Sequence, residues 1–205
     1  MNVARVLYPV QVLGPGKRLG IWLAGCPRRC RGCSNSELWE KQEQYEIPLD
    51  GLMKLLQPIL QRADMDGIII TGGDPFFQAE ELFLLLKALQ SYTEDILVYT
   101  GYQMQEISKG TPAMRDCLKY IGVLIDGPYV AEENNGCHLR GSANQKIYYL
   151  KPKLQARYEA YMAAGPNRIQ NFAVADGIVS VGIHTRNFQK ELAEAARKRG
   201  VIIGE

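Results

Sequence analysis

A chain of 205 residues is long enough for one domain with a sizeable core, and its 46% hydrophobic and 22% charged residues are ordinary for a globular protein. The net charge of +2 gives no strong attraction to nucleic acid, and no apolar run approaches the roughly 18 residues of a membrane span. We therefore expect neither a nucleic-acid partner nor a membrane anchor. The first residues lack a signal-peptide layout, and five cysteines do not form the even set of a disulfide framework, so a reducing cytoplasm is expected.

Strand-like and helix-like segments alternate along the first part of the chain. Apolar runs bounded by glycine predict buried strands, and leucines at helical spacing predict amphipathic helices. Pro9 interrupts the first strand, which is typical of a sheet edge. The strands are predicted at residues 3–13, Leu19–Ala24, Gly67–Thr71, Ile96–Thr100 and Val123–Asp126, and the helices at residues 50–60, 82–89 and 113–120.

This alternation is typical of right-handed βαβ units and a parallel sheet. A complete eight-repeat barrel takes about 250 residues, so residues 1–150 have room only for part of one. We therefore predict an α/β fold, with a partial, open barrel of (β/α)6-like form over residues 1–150.

A different pattern follows the predicted core. Residues 131–146 are polar and read as a long loop of the kind that often carries function. Beyond it, the sequence predicts a helix over 152–164, a hairpin with strands 169–175 and 178–183 joined at Asp176–Gly177, and a helix from Asn187 to Arg199 ended by Gly200. No linker separates these parts, so residues 151–205 are expected to be a helix–hairpin–helix extension packed on the core within the same domain.

Three cysteines follow the strand that ends at Ala24. Cys26, Cys30 and Cys33 form a C-x3-C-x2-C pattern, with no fourth cysteine nearby. Thiolates at this spacing can hold three corners of a [4Fe-4S] cluster and leave one iron open to a ligand that is not protein. Two alternatives stay open: a zinc site, which usually needs four ligands, and three inert cysteines packed as small apolar residues.

The next predicted strand ends in Gly72, Gly73 and Asp74. Two glycines permit a close approach of a ligand to the backbone, and an acid there could hold an ammonium group. The alternative is a tight strand-to-helix turn in which Asp74 caps the helix.

Taken together, these segments resemble the radical S-adenosylmethionine superfamily. The cysteine pattern is similar to its cluster loop, and Thr71–Pro75 is similar to its second motif, in which glutamate is the more usual acid. The resemblance narrows to the anaerobic ribonucleotide reductase-activating proteins and covers about residues 5 to 150. It rests further on Gly14–Gly16, Cys30–Asn35, Tyr99–Tyr102, Asp126–Tyr129 and Arg140–Gln145, which occur in the same order in that family.

The resemblance implies a function and its cofactors. A [4Fe-4S] cluster, reduced by a flavodoxin- or ferredoxin-type donor, would bind S-adenosylmethionine and cleave it to methionine and a 5′-deoxyadenosyl radical. That radical would remove a hydrogen atom from a glycine of a partner, an anaerobic ribonucleotide reductase-like glycyl-radical enzyme. Because the cofactor performs the difficult step, no acid–base pair of catalytic residues is expected.

The resemblance also implies the site residues. Cys26, Cys30 and Cys33 would bind the cluster, whereas Trp22 is expected in the core and His184 in a structural role. The residues that would bind S-adenosylmethionine are Gly72, Gly73, Asp74, Asp126, Asn35, Tyr102, Arg140, Ser142 and Asn144.

Two other functions stay open because the resemblance ends near residue 150. The extension could cover the site of a radical enzyme that modifies a peptide or a small molecule. A zinc- or cluster-binding interaction module without enzymatic activity is the third possibility.

Overall fold

The computed structural model describes residues 1–174 and 177–198. Eight strands and six α-helices lie within these ranges, together with several short 3-10 turns. The strands are β1 (Val3–Val10), β2 (Arg18–Leu23), β3 (Gly67–Gly72), β4 (Ile96–Tyr99), β5 (Val123–Asp126), β6 (Lys146–Tyr149), β7 (Ile169–Val174) and β8 (Gly177–Gly182). The helices are α1 (Leu49–Leu60), α2 (Ala79–Leu89), α3 (Met104–Lys109), α4 (Pro112–Cys117), α5 (Gln155–Ala163) and α6 (Phe188–Lys198).

The first six strands form one mixed sheet in sequential order. Strands β2 to β5 are parallel, whereas β1 and β6 run antiparallel at the two edges. Parallel strands added in one direction by right-handed crossovers place all their helices on the same face of the sheet. The predicted α/β fold is confirmed, and Pro9 lies on an edge strand as its missing N–H requires.

The two faces of this sheet belong to different cores. Ile68 and Ile70 of β3 point toward α1, α2 and α4. Ile69 lies between them and points to the opposite face, where it belongs to a second cluster with Trp22 and Leu97. Leu154, Tyr158 and Val181, all beyond residue 150, complete that second cluster.

A buried ion pair lies where strands β2 and β4 begin, beside this second cluster. Arg18, at the start of β2, is fully buried and donates to both carboxylate oxygens of Asp95 at 2.6 and 3.1 Å. The Tyr158 hydroxyl of α5 donates to the same carboxylate at 2.7 Å. A buried charge requires a partner and further hydrogen bonds, and helix α5 supplies one of them here.

Several boundaries differ from the sequence prediction. Helix α3 and strand β6 were not predicted, since they have only six and four residues. Helix α1 continues through Pro58, which lies in its last turn. The predicted turn residue Asp176, and the predicted helix end at Arg199 and Gly200, lie outside the described residues.

No helix within residues 1–174 and 177–198 is both long and apolar enough to cross a membrane.

Candidate functional site

The cysteine loop, residues 24–39, begins where β2 ends at the carboxyl edge of the parallel strands. Its two ends are joined like a short ladder: the Gly25 N–H donates to the Leu38 carbonyl, and the Cys26 N–H donates to the Trp39 carbonyl, both at 2.8 Å. The Leu38 side chain is fully buried beneath the loop. The loop is therefore closed on itself, and the cysteines lie in the segment between its ends.

Within the loop, two residues reverse the chain. Arg29 and Gly32 have φ angles of 45° and 74°, in the left-handed region. That conformation is uncommon for arginine, and an ion pair between the Arg29 guanidinium and the Glu40 carboxylate accompanies it. The turn at Gly32 is closed by a hydrogen bond of 3.1 Å from the Cys33 N–H to the Cys30 carbonyl.

All three cysteines are free thiols and partly exposed. Burial raises the pKa of Cys26 and Cys33, while nearby N–H groups oppose the rise. The backbone N–H of Asn35 donates to the Cys33 sulfur at 3.4 Å. N–H donors of this kind stabilise the thiolate form, which is the form that binds metal.

The donor set of the cysteine loop fits a [4Fe-4S] cluster. Three free thiols lie on one closed loop, and thiolates are the ligands that iron–sulfur clusters use. Across the described part of the chain, no three His, Cys, Asp or Glu side chains are grouped as the ligands of one metal ion. A structural zinc site usually has four ligands, whereas this loop supplies three thiols.

Trp39 supports the same fit. Its indole N–H is buried and has no hydrogen-bond acceptor at normal geometry among the described residues. It lies close enough to Cys33 to oppose the rise in pKa that burial causes there. A buried donor without an acceptor is costly, and a cluster sulfur beside Cys33 would supply the missing acceptor.

Gly72 and Gly73 fasten the cysteine loop to the sheet. The Gly73 N–H donates to the Leu23 carbonyl at 2.7 Å. A Cβ atom at Gly72 would lie 2.3 Å from the Leu23 oxygen, and one at Gly73 would lie 2.5 Å from the Gly25 oxygen. Both positions therefore require glycine because backbone packs directly against backbone. A ligand role for these glycines stays a prediction.

Asp74 is fully buried and caps the turn that follows β3. Its carboxylate accepts from the Phe76 N–H at 3.0 Å, the Thr100 hydroxyl at 2.8 Å and the Gly101 N–H at 2.9 Å. Burial raises the pKa of Asp74 to about 6, and these three donors oppose the rise. The capping alternative is thus what the structure shows, while contact with a cofactor amine stays a prediction.

Asp126 and Tyr102 lie at the ends of the next two strands. Asp126 is buried and accepts from the Met104 N–H at 2.7 Å, at the start of α3. Tyr102 stacks under the guanidinium of Arg28, 4.6 Å from its ring centre, and Arg28 also pairs with Glu106 at 2.6 Å. Asp126 thus bonds the end of β5 to the start of α3, and Tyr102 contacts Arg28 of the cysteine loop. Contacts of these two residues with the cofactor stay predictions.

The Arg140–Gln145 segment folds the long loop back on itself. The Gln145 side chain donates to the Gly127 carbonyl, and the Asn144 side chain donates to the Pro128 carbonyl, both at 2.8 Å. Ser142 is fully buried and accepts from the Val130 N–H, and Arg140 donates to the Gln145 carbonyl. Arg140, Ser142 and Asn144 therefore form the loop rather than the cavity wall described next.

Asn35 is the predicted cofactor residue that faces open space. With Cys33 it lines a cavity of about 160 Å³, here called the inner cavity, above the carboxyl ends of β2, β3 and β4. The strand-end residues in its wall are Trp22, Thr71 and Tyr99, and Gly141 and Gln145 add the long loop. Asn35 thus lies in the wall of this cavity, and its contact with the cofactor stays a prediction. Thr71, Tyr99 and Gln145 also lie in the wall, and the sequence analysis did not name them as site residues.

Two polar atoms of the inner-cavity residues lack partners among residues 1–174 and 177–198. The Tyr99 hydroxyl is buried without a hydrogen bond, and burial raises its pKa, so it stays a neutral donor. The His184 Nε2 atom is also buried and unpaired, and burial lowers the pKa of this imidazole. Unpaired buried atoms in a cavity wall fit a polar ligand that satisfies them. Tyr99 belongs to the Tyr99–Tyr102 segment on which the family resemblance partly rests, so the sequence offered a signal for it. The residues around His184 offered no such signal.

A larger space adjoins the inner cavity. This outer cavity measures about 690 Å³ and shares Ser34, Asn35, Tyr129, Ser180 and His184 with the inner one. Gly32 and Ser34 of the cysteine loop lie on one side, and β8 with the start of α6 lies on the other. The residues beyond 150 thus form a wall next to the cysteines.

Comparison with known proteins is consistent with this geometry. A family model described as "4Fe-4S single cluster domain" matches residues 12–148, two thirds of the chain. A protein of Vibrio cholerae named anaerobic ribonucleoside-triphosphate reductase-activating protein is 32% identical over 148 residues, which are 69% of this chain and 94% of that one. Proteins of the same name from bacteriophage T4 and Haemophilus influenzae are 31% and 34% identical, covering 72% and 70% of this chain and 94% and 96% of their own.

Among solved structures, QueE from Escherichia coli aligns with 49% of this chain and 51% of its own, at a TM-score of 0.41 and 20% identity. That likeness is too weak to bear on function.

These matches confirm the resemblance drawn from the motifs, together with the enzyme class of a radical S-adenosylmethionine activase and its two cofactors, a [4Fe-4S] cluster and S-adenosylmethionine. The matched region contains the cysteine loop and the strand ends that form the inner cavity. The chain belongs to the family of anaerobic ribonucleoside-triphosphate reductase-activating proteins.

Proposed function

We propose that this protein installs a glycyl radical on an anaerobic ribonucleotide reductase. The observation that carries the proposal is the position of three free thiols on a closed loop beside the inner cavity. The names of its relatives supply the partner.

In this proposal Cys26, Cys30 and Cys33 hold the cluster. A bound, reduced cluster would supply the electron for cleavage of S-adenosylmethionine to methionine and 5′-deoxyadenosine, with the added hydrogen atom taken from the glycine Cα. The paired ends of the cysteine loop hold the thiols above the sheet edge. The Asn35 backbone N–H stabilises the Cys33 thiolate, and the Trp39 indole N–H would donate to a sulfur atom beside Cys33 once the cluster is bound.

We assign S-adenosylmethionine to the inner cavity together with the adjoining part of the outer cavity at Ser34, Asn35 and His184, because about 160 Å³ alone is less than the roughly 300 Å³ of a small ligand site. Asn35, the Tyr99 hydroxyl and the His184 Nε2 atom would meet its polar groups, because each faces or borders that space and two lack other partners. Gly72, Gly73 and Asp74 line neither cavity, and their role here is to fix the cysteine loop on β3. Direct contacts from Asp74, Asp126, Tyr102, Arg140, Ser142 and Asn144 remain predicted.

The proposal extends to features that accompany this function. Residues 1–150 act as a partial radical S-adenosylmethionine barrel, and residues 151–205 act as an extension packed on it. A flavodoxin- or ferredoxin-type protein supplies the electron. The cytoplasm is the expected location, because free thiols that carry a cluster require a reducing compartment.

The test is anaerobic reconstitution with iron and sulfide, followed by incubation with dithionite, S-adenosylmethionine and the anaerobic reductase encoded in the same genome. We expect 5′-deoxyadenosine and a glycyl doublet in electron paramagnetic resonance. Cleavage of the cofactor without a doublet would reject the reductase as partner. Mass spectrometry of peptide and small-molecule products would then test the alternative of a radical enzyme with another substrate.

A further inference from the structure

The hairpin of β7 and β8 lies outside the part of the chain that the family model matches, which ends at residue 148. The hairpin nevertheless lines both cavities. Ser180 of β8 contributes to each, and so does His184, which lies two residues beyond the end of the strand. Its position beside Cys33 and Asn35 indicates a role in what reaches the cluster.

The cavities meet β8 along its edge. The outer cavity touches residues 178–180, and the inner cavity touches residues 180–184, with no residue skipped. Neighbouring side chains on a strand point to opposite faces of a sheet. A cavity that touches consecutive residues therefore lies against the strand's edge, where the backbone N–H and C=O groups are presented.

No strand lies beside that edge in the part of the chain that the structure describes. Within the described residues β8 pairs only with β7, in a two-stranded sheet. Just beyond the strand, the His184 carbonyl accepts from the Asn134 side chain at 2.9 Å. Asn134 belongs to the long loop. This hydrogen bond therefore links the backbone just after β8 to the core at one end of the cavity.

The size and lining of the outer cavity suit a chain segment. Its volume of about 690 Å³ lies in the usual range for ligand sites. Ile178 is 73% exposed and Leu192 is 39% exposed, both in the cavity wall. Apolar side chains exposed beside an open strand edge are the features with which proteins bind an added strand.

We propose that a glycine-bearing segment of the partner reductase adds to β8 as a third strand in the outer cavity. This proposal rests on the proposed function. Main-chain pairing would hold the segment extended, with Ile178 and Leu192 contacting its side chains. A glycine has no Cβ, so its Cα can approach the inner cavity closely at the end nearest Cys33.

Hydrogen exchange tests the pairing directly. The reconstituted protein is compared with and without a synthetic peptide that carries the radical glycine and flanking residues of the reductase encoded in the same genome. We expect slower exchange in residues 177–184 and unchanged exchange in α1 and α2. Protection confined to other segments would overturn the docking strand.

Kinetics supply the second test, with two variants on the same hairpin. Ile178→Glu places a carboxylate at the cavity edge, and we expect the KM for the reductase in glycyl-radical formation to rise about tenfold or more. Ile169→Glu changes a residue of β7 that is 36% exposed and outside both cavity walls, and we expect a KM within about twofold of wild type. Iron content checks that each variant is folded and loaded.

The outcomes separate the two proposals. A wild-type protein that cleaves S-adenosylmethionine without a glycyl doublet overturns the proposed function. A protein that gives the doublet, yet keeps its KM in Ile178→Glu, overturns only the docking strand. If Ile178→Glu instead converts a dimer into a monomer in light scattering and the KM is unchanged, the edge pairs with a second copy and the proposal is wrong.

Discussion

The Tyr158 hydroxyl donates a hydrogen bond of 2.7 Å to the Asp95 carboxylate, which is already paired with Arg18. This contact joins helix α5 of the extension to the base of the parallel sheet. Asp95 precedes β4 and Arg18 begins β2, so one carboxylate links three elements that are distant in sequence. The extension therefore completes the polar network on which the sheet's second face is built.

Removal of this hydroxyl should weaken the whole domain. We expect Tyr158→Phe to lower the free energy of unfolding by roughly 1.5 to 3 kcal/mol, because the lost bond is to a buried charge. Tyr161→Phe is the matched control on the same helix, since its hydroxyl makes a 3.5 Å exposed contact with the Gln11 carbonyl and none with a buried charge among the described residues. Urea unfolding followed by circular dichroism measures both. Equal effects of the two variants would contradict the role given to Tyr158.

The cysteine loop makes a simple prediction about metal content. We expect the reconstituted wild type to bind about four irons per chain, and Cys30→Ser to lose most of them together with cofactor cleavage. Cys137→Ser is the control, because Cys137 is also a free, partly exposed thiol but lies in the long loop. Iron analysis and a 5′-deoxyadenosine assay measure the two effects. A Cys30→Ser protein with normal iron content and normal cofactor cleavage would show that Cys30 is not a ligand of the cluster.

The unpaired indole of Trp39 should tune the cluster. If its N–H donates to a sulfur at Cys33, Trp39→Phe loses one hydrogen bond of about 0.5 to 1.5 kcal/mol, and the reduction potential becomes roughly 20 to 60 mV more negative. Potentiometric titration monitored by electron paramagnetic resonance measures the shift. Tyr92→Phe changes an exposed aromatic residue elsewhere and should leave the potential unchanged. A Trp39→Phe potential equal to wild type would show that the indole does not reach the cluster.

Gly73 should tolerate no side chain. A Cβ atom there would lie 2.5 Å from the Gly25 oxygen and 2.9 Å from the Leu38 oxygen, so both ends of the cysteine loop would have to move. We expect Gly73→Ala to lose cluster binding, as read from the iron content. Gly51→Ala in α1 is the control: its nearest neighbour lies 3.4 Å away, and alanine should stabilise the helix by roughly 0.5 to 1 kcal/mol. Normal iron content in Gly73→Ala would contradict this packing role.

Asp74 should make stability depend on pH. Burial raises the pKa of this carboxyl from 3.8 to about 6, so between these values the folded protein binds more protons than the unfolded chain. The free energy of unfolding of the metal-free protein should therefore fall as the pH rises through this window, by roughly 3 kcal/mol in total. Asp74→Asn should flatten the profile, as measured by urea unfolding between about pH 4 and 7. A profile equally steep in this variant would assign the effect to another group.

Local pattern determined much of the fold. Apolar runs ended by glycine located β2, β3, β4 and β5, because a strand buried on both faces must be apolar throughout. Strand β6 escaped prediction because Lys146–Tyr149 is short and partly exposed, and only its pairing with β5 makes it a strand. The helices α1 and α2 were found from their leucines, which face a single core.

Sequence alone determined the chemistry of this protein. Three cysteines at one spacing, followed by glycines and an acid after the next strand, resemble the motifs of one family, and that resemblance predicts the class of cofactor. The tertiary structure decided the rest. It bonds Asp74 to Thr100 and Gly101, and it brings His184 and β8 to the cavity beside Cys33. Such contacts join residues far apart in sequence, and no local pattern records which distant groups will meet once the two faces of the sheet are packed.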